Sequence, residues 1–281
     1  MPPAVVDLEF VPELRFGQVI VPLQAIALAM VIALALLVLA RGIRRRAPGT
    51  RTEDLAFVVL AAIPGAVVGG RLVHGLVFRD AYGLDPASLL DLGRGSLSLA
   101  GAVVGGALTA AYLCRQLGGR VGVWADAGAV PLLLAIGGGK VAMLLGGIGQ
   151  GLPWDGRGGV AFLGEGPWGS TDPALAAYPT QLLEGLWALM GIPVVVLLER
   201  RLVRGRAAGG GLVLLAAVGW WLAGRAAVAV WWRDEPLLGP LGAEGFVALV
   251  LLIAVGAIAA LRTRTRRASD HGPSPAEAAR S

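Results

Sequence analysis

The sequence has a single cysteine, Cys114, and a single lysine, Lys140, among its 281 residues. One cysteine cannot form an intrachain disulfide or a cysteine-rich metal site, so we interpret Cys114 as a packing residue. Charged residues are scarce too, at 15% of the chain, well below the share found in soluble domains. This scarcity argues against a soluble protein.

Apolar residues take the place of the missing charges, at 56% of the chain with a mean hydropathy of +0.72. They occur in seven blocks, each close to the roughly 20 residues that a membrane-spanning helix needs. The pattern therefore predicts an all-α polytopic membrane protein with seven spans. The predicted spans are 18–40, 55–78, 96–114, 123–148, 180–198, 210–232 and 244–261.

Arginine placement predicts the orientation of these spans. Basic residues next to spans favour the cytoplasmic side, and here they occupy every second connection and the tail. They are Arg41, Arg44, Arg45, Arg46, Arg51, Arg115, Arg120, Arg200, Arg201, Arg204, Arg206, Arg262, Arg264, Arg266, Arg267 and Arg280. We therefore expect the N-terminus outside and the C-terminus inside. The net charge of +5 reflects this topology, with anionic lipid headgroups as partners and no nucleic acid.

The sequence also predicts the nature of three segments: the first apolar block, the longest connection and the C-terminal tail. Acidic residues precede the first apolar block, which is long, so we expect a retained span and no cleaved signal peptide. The connection 149–178 is long enough to form a small extracytoplasmic cap within a single membrane domain, 1–261. The tail 262–281 is rich in Arg, Ser, Pro and Ala, which predicts a disordered basic cytoplasmic segment.

Three cations fall inside the predicted spans: Arg71, Lys140 and Arg225. Ionisable residues at membrane depth are costly and usually line a functional cavity. The alternative is structural, with each cation pairing with a buried carboxylate, and Asp126 and Glu184 are the two available. For Asp126 we favour a structural role. Three cations against two carboxylates predict a net positive interior, which suits an anionic phosphate.

Glycine patterns predict close helix packing and exclude two nucleotide sites. GAVVGG occurs at 65–70 and again at 101–106, and small residues four apart let helices approach closely in lipid. We expect this pair of spans to pack as a hairpin. GGGKV lacks the spacing of a phosphate-binding loop, and GGIGQG lacks that of a dinucleotide fingerprint.

Five blocks of the sequence, in their order along the chain, resemble the bacterial prolipoprotein diacylglyceryl transferases. The blocks are GAVVGGRL, GRGSLSLAGAVVGG, WADAGAVPLLLAIGGGKVAMLLGGIGQGLPWDGRGGVAF, YPTQLLEGL and GWWLAGRAAVAVWWRDE. The resemblance covers roughly 55–261 in family order. It implies a multi-pass protein of the bacterial plasma membrane with its N-terminus outside. It also implies transfer of a diacylglyceryl group from phosphatidylglycerol to the cysteine thiol of a lipoprotein precursor, without cofactor or metal.

The resemblance also implies roles for individual residues. Arg225 matches an essential family arginine, and Lys140 stands where the family has arginine. Lysine keeps the positive charge but cannot form the two parallel hydrogen bonds that an arginine side chain makes. A buried lysine can also give up its proton and act as a base. His74, one turn beyond Arg71, is a second candidate base or else a packed residue. The candidate substrate-binding residues are Arg71, Gln181, Glu184, Gly101, Gly147 and Tyr178.

Several polar positions of the family are apolar here. Ala100, Met143 and Ile148 stand where the family has His, Asn and Glu. Two functions therefore stay open: a divergent transferase, in which Lys140 and Arg225 hold the lipid phosphate, and a non-catalytic relative. The second would bind phospholipid or lipoprotein precursor as an accessory or scaffold protein.

Overall fold

The structure, a computed structural model, describes residues 5–79, 82, 96–204 and 209–270. Within these residues there are seven helices longer than three residues, six of them long and apolar enough to cross a membrane. They are α1 Leu23–Arg46, α2 Thr52–Val77, α3 Leu99–Gln116, α4 Val121–Leu144, α5 Thr180–Arg204, α6 Leu212–Val228 and α7 Ala243–Asp270. The six leave out α3, whose 18 residues end in Arg115 and Gln116. The fold is that of a polytopic helical membrane protein.

Helix boundaries differ from the predicted spans at several places. The apolar residues 18–22 belong to a hairpin of strands β2 Glu13–Phe16 and β3 Val19–Pro22, so α1 begins at Leu23. Helix α4 ends at Leu144, and Gly147 beyond it has a positive φ of 60°. Helix α7 continues past Leu261 to Asp270.

Some predictions fall on residues whose structure is not described. They concern Arg206, one of the arginines that predict the orientation, and the part of the predicted disordered tail 262–281 that lies beyond Asp270.

The two ends of the bundle differ in composition. At one end, which we call the arginine end, Arg46 of α1 pairs with Glu199 of α5, and Arg262 of α7 donates to the Gly210 carbonyl before α6. The other end, which we call the strand end, carries the six short strands of the described residues. Arg46 and Arg262 thus lie at the same end of the bundle.

The strand end joins distant parts of the chain. Strand β1 Val6–Glu9 pairs in parallel with β4 Val160–Leu163, which lies within the predicted cap connection. Phe162 of β4 is buried beneath Trp168, with ring centroids 5.2 Å apart. A third pair, β5 Pro236–Leu238 and β6 Leu241–Gly242, links α6 to α7. The connection 149–178 therefore has secondary structure of its own.

The buried core lies among α4, α5, α6 and α7, around Leu133, Val195, Trp221 and Leu222. Large apolar side chains cover the outer helix surfaces, including Met30, Leu37, Leu108 and Ile253, each about two-thirds exposed. Such a surface is stable in a lipid environment, where apolar side chains need no burial in protein. Cys114 is buried beside an apolar cavity of about 470 Å³, in agreement with a packing role.

Glycine sets the contact between α2 and α3, the most extensive helix pair among the described residues. A Cβ on Gly69 would overlap the Gly101 carbonyl oxygen and lie 2.8 Å from Gly105 Cα. A Cβ on Gly101 would overlap the Gly69 carbonyl oxygen in turn. Both GAVVGG copies thus lie in one interface, which confirms the predicted hairpin.

Candidate functional site

Glu184 of α5, which is fully buried, is at the centre of a charge cluster. Its Oε2 lies 2.8 Å from Lys140 Nζ of α4, and its Oε1 lies 3.0 Å from an Arg225 nitrogen of α6. Trp221 Nε1 also donates to Oε1 at 3.3 Å. One carboxylate on α5 therefore joins two of the three predicted intramembrane cations.

Close helix approach makes this cluster possible. A Cβ on Gly185 would lie 3.0 Å from the Gly137 carbonyl oxygen and 3.2 Å from Lys140 Cβ. Only because both positions are glycine does α4 come near enough for Lys140 to reach Glu184.

Two tryptophans hold α5 against α6. Trp187 Nε1 donates to the Trp220 carbonyl and Trp220 Nε1 to the Trp187 carbonyl, both at 2.7 Å, and their rings stack at 4.7 Å. These residues neighbour Glu184 and Trp221 along their helices. The reciprocal bonds therefore set the register that brings Arg225 to Glu184.

Helix α7 adds a carboxylate to the cluster. Glu244 is 7% exposed, and its Oε2 lies 3.0 Å from the second terminal nitrogen of Arg225. The ring of Trp232 packs against the same guanidinium, with Arg225 Cζ 4.5 Å from its centroid and Lys140 Nζ 5.7 Å away. Arg225 is therefore held between two carboxylates and an aromatic face.

The expectation of a net positive interior is wrong for the described residues. Glu244 is the first residue of the predicted seventh span, and the structure buries it, so Asp126, Glu184 and Glu244 match the three cations in number. Unpaired charges are too costly to bury, whereas paired ones are tolerated. The alternative of pairing with buried carboxylates holds for Lys140 and Arg225.

Asp126 has the structural role we favoured, with backbone groups as its partners. Its two carboxylate oxygens accept from the backbone N–H groups of Gly209, Gly211, Val213 and Leu214 at 2.9 to 3.4 Å. The carboxylate thus caps α6 at the arginine end.

Asp234, in the connection from α6 to α7, adds a further acid near the cluster. Burial and the nearby Glu244 charge raise the pKa of Asp234, although Arg225 and Lys140 act in the opposite direction. The net direction shows that Asp234 holds its proton more readily than an ordinary aspartate.

Arg71 and His74 of α2 meet at one tyrosine. A terminal nitrogen of Arg71 donates to the Tyr82 hydroxyl at 3.0 Å and to the Ser96 carbonyl at 3.4 Å. His74 Nδ1 lies 2.8 Å from the same hydroxyl, and its ring packs 4.6 Å from Phe78. His74 is therefore a hydrogen-bonded, packed residue in this structure, within electrostatic range of Glu244.

The remaining candidate residues differ in their surroundings. Gln181, one turn before Glu184, is 1% exposed, and neither of its amide atoms has a hydrogen-bond partner among the described residues. Gly101 packs against α2, and Gly147 lies under Trp168. Tyr178 stacks between Trp154 and Trp231, at 4.9 and 5.8 Å. Gln181 is thus the one of these four with buried polar groups still to satisfy.

Sequence reasoning missed four members of the site. Glu244, Trp221 and Trp232 contact Arg225 directly, and Asp234 lies near it. Both tryptophans flank Arg225 within the block GWWLAGRAAVAVWWRDE, and this aromatic framing of a buried cation is a usable signal. Glu244 had the weaker signal of an acidic residue at a span edge.

The chain matches known proteins along most of its length. A family model described as "Prolipoprotein diacylglyceryl transferase" matches residues 14–261. Three similar relatives are named phosphatidylglycerol–prolipoprotein diacylglyceryl transferases. The Frankia alni protein is 36% identical over 66% of this chain and 50% of its own length. The Paenarthrobacter aurescens protein is 31% identical over 80% and 74%, and the Streptomyces griseus protein 31% over 72% and 63%. The match to the first therefore spans about half of that relative.

Proposed function

The chain belongs to the prolipoprotein diacylglyceryl transferase family, and on that premise we propose that it transfers a diacylglyceryl group from phosphatidylglycerol to a cysteine thiol of a lipoprotein precursor. The observation that carries the proposal is the pair of intramembrane cations, Lys140 and Arg225, joined through the buried Glu184. In an apolar helical bundle, few groups other than such cations can stabilise the negative charge of a departing phosphate.

The cluster supplies electrostatic stabilisation for this reaction. The thiol sulfur attacks the glycerol carbon that bears the phosphate oxygen, a carbon–sulfur bond forms, and the carbon–oxygen bond breaks. Its electron pair passes to the phosphate of the departing glycerol phosphate. Arg225 and Lys140 are prepositioned by their carboxylates to face that developing charge. Gln181, with buried and unsatisfied amide atoms, is placed to bind a polar part of a substrate.

The same proposal includes an orientation in the bacterial plasma membrane. The arginine end would face the cytoplasm, because positive residues next to spans favour that side. The strand end, with strand β1 and the 149–178 connection, would then face outward as an extracytoplasmic cap. Precursor and lipid would meet the buried cluster from that side.

The direct test is a transfer assay with purified protein, phosphatidylglycerol and a lipobox peptide. Mass spectrometry should detect a peptide that carries a thioether-linked diacylglyceryl group. Arg225→Ala should lower the rate by about a hundredfold or more, the usual effect of removing one charge-stabilising group. Arg201→Ala, an exposed arginine at the end of α5, is the matched control and should keep the rate.

Two results would contradict the proposal. If the native protein transfers nothing from phosphatidylglycerol but retains it on purification, the chain is a lipid-binding scaffold. If Arg225→Ala transfers as fast as Arg201→Ala, the buried cluster is structural and the reaction, if present, takes place elsewhere.

A further inference from the structure

The two carboxylate oxygens of Glu244 differ, because one is paired with a cation and the other has no hydrogen-bond partner among the described residues. Oε2 lies 3.0 Å from Arg225, whereas Oε1 is buried without a hydrogen-bond partner among the described residues. The whole residue is more than nine-tenths buried. A buried carboxylate oxygen normally has a donor, since leaving it unsatisfied is costly. Such an oxygen beside the reaction's main cation is the acceptor expected of a group that receives a proton.

Glu184, Lys140 and His74, three other titratable groups of the site, are already engaged. Both oxygens of Glu184 face cations, and Lys140 is paired with one of them at 2.8 Å. His74 Nδ1 is bonded to Tyr82. Glu244 Oε1 is thus an unoccupied acceptor on a carboxylate that is itself paired with the guanidinium, whereas Asp234 makes no such pair among the described residues.

We propose that Glu244 is the base that takes the proton from the attacking thiol, an inference that rests on the proposed transferase function. The thiol proton passes to Oε1, the thiolate sulfur bonds to the glycerol carbon, and the carbon–oxygen bond to phosphate breaks. Glycerol phosphate leaves with that electron pair. The proton then returns from Glu244 to the departing phosphate or to water, so the carboxylate is regenerated.

The groups around Glu244 couple this step to lipid binding. Arg225 of α6 is paired with Glu244, with Lys140 and Glu184 behind Arg225. Asp234, in the connection between α6 and α7, and His74 of α2 carry the other titratable groups within electrostatic range. A phosphate that binds to Arg225 takes over part of the positive charge that now balances Glu244. The carboxylate is then available for the thiol proton once the lipid is in place.

The test compares cysteine and selenocysteine peptides in the transfer assay. A selenol is already ionised near neutral pH and needs no base, whereas a cysteine thiol does. Glu244→Gln, which keeps an oxygen for Arg225, should slow transfer to the cysteine peptide by about a hundredfold or more. Transfer to the selenocysteine peptide should stay within a few fold of the native rate. Glu235→Gln, which changes an exposed carboxylate in the connection before α7, should change neither rate.

The outcomes separate a base from a counter-ion. Equal losses with both peptides would show that Glu244 only orients Arg225 and would overturn the inference, as would no loss with either. Glu244→Asp keeps a carboxylate, so its preference between the two peptides should stay close to native. If Glu244→Asp instead favours the selenocysteine peptide over the cysteine peptide as strongly as Glu244→Gln does, the inference is contradicted. This comparison holds even if the Gln variant folds poorly. If the native protein transfers to neither peptide, the proposed function itself fails.

Discussion

At the scale of single residues, Asp126 shows how one side chain holds the start of another helix. The residue before α6 is Gly211, whose φ of 78° and missing side chain leave it unable to cap. Asp126 of α4 supplies the missing acceptors from across the bundle, with Oδ2 bonded to Gly209 and Gly211 at 3.1 Å each. A negative charge at this position also favours the helix dipole of α6.

Replacing this carboxylate should destabilise the protein. We expect Asp126→Ala to lower the free energy of unfolding by about 1–3 kcal/mol, because buried N–H groups lose their acceptor. Thermal unfolding in detergent would measure the loss, and faster hydrogen exchange at 209–214 would locate it. The exposed Asp155→Ala serves as control and should unfold like the native protein. Equal stability of the two variants would mean that water or lipid replaces the carboxylate at no cost.

Residue types alone predicted part of the candidate site. Lys140, Arg225 and Glu184 are identifiable in the sequence because an ionisable residue inside an apolar block is rare. Their partners were harder to predict, since pairing depends on which helix faces which. Glu244 is the clearest example, because its place at a span edge gives no sign that the strand pair β5–β6 turns α7 toward Arg225.

At the scale of elements, the α2–α3 pair depends on the absence of side chains at its contact. Gly65, Gly69, Gly101 and Gly105 face one another so closely that each added Cβ would meet atoms of the other helix. Backbone atoms cannot move aside as a flexible side chain can, so the interface tolerates no added volume.

Gly69→Ala should therefore weaken the bundle. Overpacking of this kind costs about 1–3 kcal/mol, measurable as a lower unfolding temperature in detergent. Gly256→Ala in α7 is the matched control, because nothing lies within 4 Å of the added methyl group. That variant should be neutral or more stable, since alanine favours helix over glycine by up to about 1 kcal/mol. The idea fails if both alanine variants unfold at the native temperature.

The helices were predictable and the strands were not. Long apolar blocks identify a helix within a few residues of its ends, as for α5, which begins at Thr180 as predicted. The predicted first span includes strand β3, because Val19 to Pro22 is as apolar as the helix that follows. The pairing of β1 with β4 joins residues far apart in sequence, and nothing local in either segment specifies its partner.

At the scale of the whole molecule, the single cysteine makes the proposed orientation easy to test. In a Cys114→Ala background, a cysteine at Glu165 lies at the strand end, and one at Gln116 lies at the arginine end, both exposed. A membrane-impermeant thiol reagent should label the first on intact cells and the second only after lysis. The reverse pattern would contradict the proposed orientation.

The pairing of β1 with β4 has a consequence for how the chain is made. Val6 emerges from the ribosome about 150 residues before its partner Val160. During that interval α1 to α4 are synthesised. Strand β1 is unpaired meanwhile, and its backbone groups form hydrogen bonds with water. The pair closes only when both strands have reached the same side of the bilayer. Strand β1 therefore reaches its paired state only after α1 to α4 have been made.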